Sequence, residues 1–263
     1  MDPLTPPNTA IPPSLPPPPP PWPRSLPLGD SPEDREPVPN AIAAVEAILR
    51  HPRRIMYQLR QPGSGQLTGA MIFVSLICAL VYGVVVGTFS MGDQVWAAPV
   101  KIAGGLLISA LICLPSLYIF GCLSGSRARF AEMFGLVAGL LMLMTILLIG
   151  FAPVAWLFSQ STDSLPWMGA LHLIFWFIAT IFGLRFLSTG FSHSQARSNA
   201  GLATWMIIFV LVAVQMTTAL RPIVGKSSTF LPKDKKFFLA HWGDCLTGGA
   251  WRETPATNPA SKD

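Results

Sequence analysis

Three side chains able to exchange protons or hydrogen bonds interrupt otherwise apolar stretches of this 263-residue sequence: Lys101, His172 and Gln215. Ionisable and amide groups are costly in hydrocarbon, so each needs a partner, an aqueous path or a task. If the apolar stretches are helices rising about 1.5 Å per residue, all three lie roughly 6 to 8 Å below the same membrane boundary. Such a layer could guide a small solute or ion. The simpler reading has Lys101 reaching back to the headgroups while His172 and Gln215 each satisfy a neighbouring helix. Ser75 or Ser109 could act as a nucleophile with His172 as its base, but their spacing does not mark them as partners. The sequence has no phosphate-cradling glycine loop, paired-histidine zinc motif or nucleophile elbow. It therefore points to no catalytic group, cofactor or metal, and to a non-enzymatic protein.

A second group is basic. Arg50, Arg53, Arg54 and Arg60 accompany an apolar stripe of Ile42, Val45, Ile48, Leu49, Ile55, Met56 and Leu59 at helical spacing. This composition suits a helix in the interfacial plane, its arginines on anionic lipid headgroups. Packing against the protein's own loops suits it nearly as well. Near the other end, Leu220-Arg221-Pro222 closes the last apolar run. Pro222 stops a helix, and Arg221 faces the negative end of its dipole, so the two form a helix-end anchor.

Composition requires a membrane around these groups. The chain is 51% hydrophobic and only 12% charged, against about 25% for a soluble domain. Residues 66–225 hold just six Lys/Arg and three Asp/Glu, too few to solvate a surface. Five runs, 67–88, 96–123, 130–158, 166–187 and 201–220, approach or exceed the roughly 20 residues needed to cross a bilayer. Without barrel-type alternation, all five should be α-helical. The expected fold is an all-α polytopic transmembrane bundle of five spans. Small residues four apart (Gly83 and Gly87; Gly105, Ser109 and Cys113; Gly135 and Gly139; Ala179 and Gly183) suit close helix approach. Pro115 and Pro153 should kink the second and third spans.

The ends differ from this middle. Residues 1–39 contain 16 of the 26 prolines, including an unbroken run from Pro16 to Pro21, and read as a disordered, polyproline-rich arm. Residues 40–65 form the juxtamembrane helix and linker, 66–225 the membrane domain and 226–263 a polar, amphipathic tail. Basic residues beside the first run and in the second and fourth connections put the N-terminus in the cytoplasm and the C-terminus outside. Lys226, Lys233, Lys235 and Lys236 in the tail run against that rule. The four cysteines have neither disulfide-framework nor metal spacing. The pI near 9.3 comes without a nucleic-acid recognition motif.

Two stretches carry a likeness. Residues 101–120, KIAGGLLISALICLPSLYIF, and 215–225, QMTTALRPIVG, together with EAILRHP before the first span, resemble an uncharacterised family of bacterial polytopic inner-membrane proteins. The resemblance spans about residues 43–245 and has Ile223 where relatives usually have Phe. It implies a five-span topology in a bacterial inner membrane and supplies no activity. A fainter similarity is to the five-span Yip-type proteins of vesicle traffic. Two functions fit these readings. One is a scaffold or accessory subunit that binds the bilayer and, through its arm or tail, other proteins, as a homo- or hetero-oligomer. The other is a small-solute or ion transporter, or a subunit of one, using Lys101, His172 and Gln215.

Overall fold

The computed structural model describes residues 27–90, 94–161, 165–194 and 200–219. Arg221, Pro222, the tail 226–263 and residues 1–26 of the arm lie outside these. Among the described residues there are eight helices: α1 (Pro32–Arg35), α2 (Ala41–Arg50), α3 (Pro52–Leu59), α4 (Gly65–Ser90), α5 (Gln94–Leu123), α6 (Phe130–Ser161), α7 (Leu165–Ser192) and α8 (Ala200–Ala219). Four of them, α4 to α7, are long and apolar enough to cross a membrane, and α8 is a shorter apolar helix. All five coincide with the expected runs, most extended by a turn or less.

Local chemistry sets the entry to the bundle. Asn40 caps α2 by accepting the Ala43 backbone N–H at 2.8 Å, satisfying a donor the first turn leaves open. Pro52 then sits at the start of α3, where its missing N–H costs nothing. Ala44, Ala47 and Ile48 of α2 and Ile55, Met56 and Leu59 of α3 are buried in the same core as the long helices. The α2–α3 pair is thus packed against its own bundle.

The long helices alternate in direction. The start of α4, the end of α5, the start of α6, the end of α7 and the start of α8 meet at the end bearing α1–α3. A Cβ on Gly135 would meet Leu59, one on Gly121 would meet Met133 and Phe191, and one on Gly201 would meet Ser124 and Phe120. Ser126 Oγ donates to Ser194 Oγ at 2.9 Å, joining the α5–α6 connection to the end of α7. At the opposite, far end, α4 approaches α5 at Gly83 and Pro99, and Phe151 of α6 stacks on Phe175 of α7 at 4.7 Å.

The centre is α6, flanked by α4 and α7, while α5 packs on α4 and α8 packs on α5. The most apolar window of α6 is 61% buried, against 33–39% in the other three long helices, so those present wide faces to lipid. The glycine spacing acts at these seams. An ideal Cβ on Gly83 would lie 2.3 Å from Pro99 Cα, so only glycine lets these two backbones touch. Gly139 and Gly183 likewise admit Phe186 and Leu140 across the α6–α7 seam. Helix α5 runs through Pro99 and Pro115, and α6 through Pro153, as single helices.

Residues 27–39, expected to belong to the arm, are ordered along the bundle's near end as a turn, α1 and an extended link. Leu28 and Val38 pack against the core. The proline pattern concealed this because the segment is held mainly by side-chain hydrogen bonds from another helix, which local composition does not reveal.

Candidate functional site

Two polar regions stand out, one in the far half of the bundle and one on its near end. In the far half, Tyr82 of α4 and His172 of α7 meet through the hydroxyl and Nδ1 at 2.7 Å, rings edge to face at 5.7 Å. Tyr82 is buried, and among the described residues its hydroxyl has no other hydrogen-bond partner. When the hydroxyl donates to Nδ1, the imidazole proton sits on Nε2. That Nε2 is buried with no partner among the described residues.

The three residues expected to share a layer lie on three helices, Lys101 on α5, Gln215 on α8 and His172 on α7. Lys101 is only 2% exposed on α5, its side chain enclosed by protein. Gln215 is half-buried on α8, which packs on α5, whereas His172 belongs to α7, which packs on α6. The group joined to His172 is Tyr82, which the sequence reading passed over. A tyrosine in an apolar run resembles ordinary core, and only the neighbouring helix reveals its partner.

Four buried serine and threonine hydroxyls are tied to their own helices. Ser75 Oγ donates to the Met71 carbonyl at 2.8 Å and Ser109 Oγ to the Gly105 carbonyl at 2.7 Å. Thr145 donates to the Leu141 carbonyl and Thr180 to that of Trp176. This back-bonding satisfies the hydroxyls in a low-dielectric setting, and neither serine is bonded to His172. One interhelical bond reaches a backbone acceptor: Trp205 Nε1 of α8 donates to the Cys113 carbonyl of α5 at 2.7 Å. The same Cys113 carbonyl accepts the Ser116 hydroxyl at 2.7 Å.

The near end is built on arginine. Arg53 Nη2 donates to Asp34 Oδ2 at 3.1 Å and to the Pro27 carbonyl at 3.1 Å, while its Nε faces Asp34 Oδ1 at 3.4 Å. The Gly29 N–H adds a bond to Asp34 Oδ2 at 3.1 Å. Burial alone would raise the Asp34 carboxyl. The hydrogen bonds from Arg53 and Gly29, with the Arg53 charge and a contribution from His193, bring it below its ordinary value instead. Arg54 pairs with the Glu36 carboxylate at 3.0 Å and donates to the Glu36 and Pro37 carbonyls. Gln58 donates to the same Glu36 carbonyl and accepts the Val38 N–H. Arg60 pairs with Glu132 at 2.9 Å, and Arg129 donates to the Arg60 carbonyl. Arg50 has only the exposed i,i+4 pair with Glu46, at 3.4 Å.

Of the four arginines read as headgroup contacts, Arg53, Arg54 and Arg60 are thus engaged by carboxylates of this chain within its folded end. Asp34 and Glu132, which complete that end, gave little warning. One lies in a proline-rich acidic stretch, and the other at the start of an apolar run. Among the described residues no cluster of three or more His, Cys, Asp or Glu could hold a metal ion. No protein-family model, curated protein or solved structure matches the chain.

Proposed function

We propose that this chain is a non-enzymatic scaffold or accessory subunit of a membrane complex, crossing the bilayer five times in a bacterial inner membrane. One observation carries the reading: a folded cap, residues 27–60, is fastened to the bundle through Arg60 and Glu132 and by burial of Leu59. A fixed polar platform on a lipid-facing bundle suits the presentation of binding segments. The 20 residues of α8 extend about 30 Å, enough for a fifth crossing. Arg127, Arg129 and Arg185 lie toward the cap end, which favours a cytoplasmic cap and a C-terminus on the opposite side.

Extraction of the full chain from its native membrane in mild detergent, followed by mass spectrometry, tests the scaffold reading. Specific partners should co-purify and be lost on deleting residues 1–26 or 226–263. Recovery of the lone chain would remove it. Cysteine labelling from each side of the membrane, at Ser31 and in the tail, tests the topology independently.

The buried Nε2 of His172 favours a second reading, in which the Tyr82–His172 pair belongs to a solute or ion path. Reconstituted vesicles would then show a flux that His172→Phe abolishes.

A further inference from the structure

The cap joins two short segments of opposite charge. Residues 27–39 carry Asp30, Glu33, Asp34 and Glu36 against the single Arg35, while residues 40–60 carry Arg50, Arg53, Arg54 and Arg60 against the single Glu46. The acidic strap lies on the arginine face of α3. Asp34 takes two bonds from Arg53, Glu36 pairs with Arg54, and strap carbonyls at Pro27, Glu36 and Pro37 accept the remaining guanidinium and Gln58 donors. His51, between α2 and α3, faces Glu33 at 3.7 Å. Forked pairing of adjacent arginines to oxygen anions is the chemistry by which guanidinium groups also bind phosphate.

Position matters as much as chemistry. Helix α3 ends at Leu59, and the apolar helix α4 begins at Gly65. Leu59 is buried against α6, where a Cβ on Gly135 would strike it. Arg60 is fixed to the first turn of α6 by Glu132. The arginine face therefore stands at the headgroup level of whichever leaflet borders the cap. With the strap in place, the cap's formal charges cancel and its forks are filled; with the strap displaced, the same face carries Arg53 and Arg54 with their oxygen ligands removed.

We propose that the Arg53–Arg54 face of α3 is a binding surface for anionic phospholipid and that the acidic strap, residues 27–39, is its built-in competitor. In membranes poor in anionic lipid the strap holds the face. As anionic headgroups accumulate, their phosphates replace Asp34 and Glu36 on the two arginines, and the strap is released from the bundle. A lipid-gated strap would decide when the arm of the proposed scaffold is presented. The inference rests on that reading only for its use, since the competition itself requires no protein partner.

The test uses the full chain in nanodiscs of phosphatidylcholine with increasing phosphatidylglycerol at constant low salt. Both leaflets are then alike and orientation has no bearing. Hydrogen exchange is read at strap amides, including the bonded N–H groups of Gly29 and Val38. Strap exchange should rise several-fold with phosphatidylglycerol while α4 and α6 stay protected, and added salt should reduce the lipid effect. Asp34→Asn should shift the rise to lower phosphatidylglycerol, and Arg53→Gln with Arg54→Gln should leave strap exchange independent of lipid. Strap protection indifferent to phosphatidylglycerol in the unsubstituted protein would overturn the proposal without recourse to any variant. So would equal release by inorganic phosphate in pure phosphatidylcholine, which would assign the face to a soluble anion. Failure of the scaffold reading would appear separately, as absence of partners in the purification.

Discussion

Arg60 and Glu132, 72 residues apart in sequence, meet through Nε and Oε1 at 2.9 Å where the cap joins α6. The Glu132 side chain is 10% exposed and that of Arg60 29%. The pair is therefore neither a screened surface contact, worth about 0 to 1 kcal/mol, nor a fully buried one, whose breakage costs about 3 to 5 kcal/mol. Glu132→Gln should destabilise the protein by about 1 to 3 kcal/mol, measured by reversible unfolding in mixed micelles. The exchanged pair, Arg60→Glu with Glu132→Arg, should recover part of the loss. A double-mutant cycle showing no coupling would remove the pair from the account of how the cap is held.

Docking of the strap should depend on pH through Asp34. Its carboxyl lies below the ordinary value of 3.8 in the folded protein. The ionised group therefore contributes fully above that value, and the contribution declines between it and the folded value. It is gone once pH has fallen through the folded value. In the absence of anionic lipid, a solvent-sensitive fluorophore at Ser31→Cys, with the natural cysteines replaced, should report strap release only under that acid condition. With Asp34→Asn the acid transition should vanish and the strap should be looser at neutral pH. An unchanged acid transition in that variant would assign it to another carboxylate.

At Gly83 any side chain must separate α4 from α5, because the obstacle is the Pro99 backbone rather than a flexible side chain. Gly83→Leu should cost about 1 to 3 kcal/mol or more through overpacking. Gly104→Ala, where nothing lies within 4 Å of the added carbon, should stay within about 0.5 kcal/mol of the parent. Thermal stability of both variants in the same detergent supplies the comparison. Equal stability would mean that the helices do not meet at this seam.

The interhelical bonds of Trp205 and Tyr82 should be modest in energy, as such bonds in membrane bundles average about 0.6 kcal/mol and reach about 1.7 kcal/mol. Trp205→Phe keeps an aromatic ring beside Phe209, 5.2 Å away in the parent, and loses only the donor to the Cys113 carbonyl. Tyr82→Phe removes the hydroxyl that fixes the His172 tautomer. Nitrogen NMR of labelled histidine in nanodiscs should then show the Nδ1 and Nε2 populations moving toward equality. An unaltered spectrum would mean that another group sets the tautomer.

The helical architecture was legible because an apolar run of span length has few alternatives in lipid. The seams at Gly83, Gly135, Gly139 and Gly183 were legible because glycine spacing on a helix carries its own geometry. Counting residues along a helix put Lys101, His172 and Gln215 at one expected level. Direction around the helix could not be read in the same way. It depends on which helices are neighbours, so the Tyr82 partner of His172, 90 residues away, had no local signature. The strap was hidden for a related reason. Its acids and prolines describe a solvated chain until Arg53, Arg54 and Gln58 of α3 are in place to bind it.

The order of neighbours in space has a consequence for how the chain is assembled. Helix α8 rests on α5 and not on α7, its immediate predecessor, and Trp205 bonds to a carbonyl made 92 residues earlier. During synthesis α6 and α7 build on one side of α4 while the outer face of α5 waits for its cover. Until α8 emerges, the Cys113 carbonyl and the glycine-accessible surface beside Phe120 and Ser124 face lipid. Completion of the bundle is therefore a late docking event between distant parts of the chain. A chain halted after α7 would be inserted and largely paired, yet open along one flank to another hydrophobic helix.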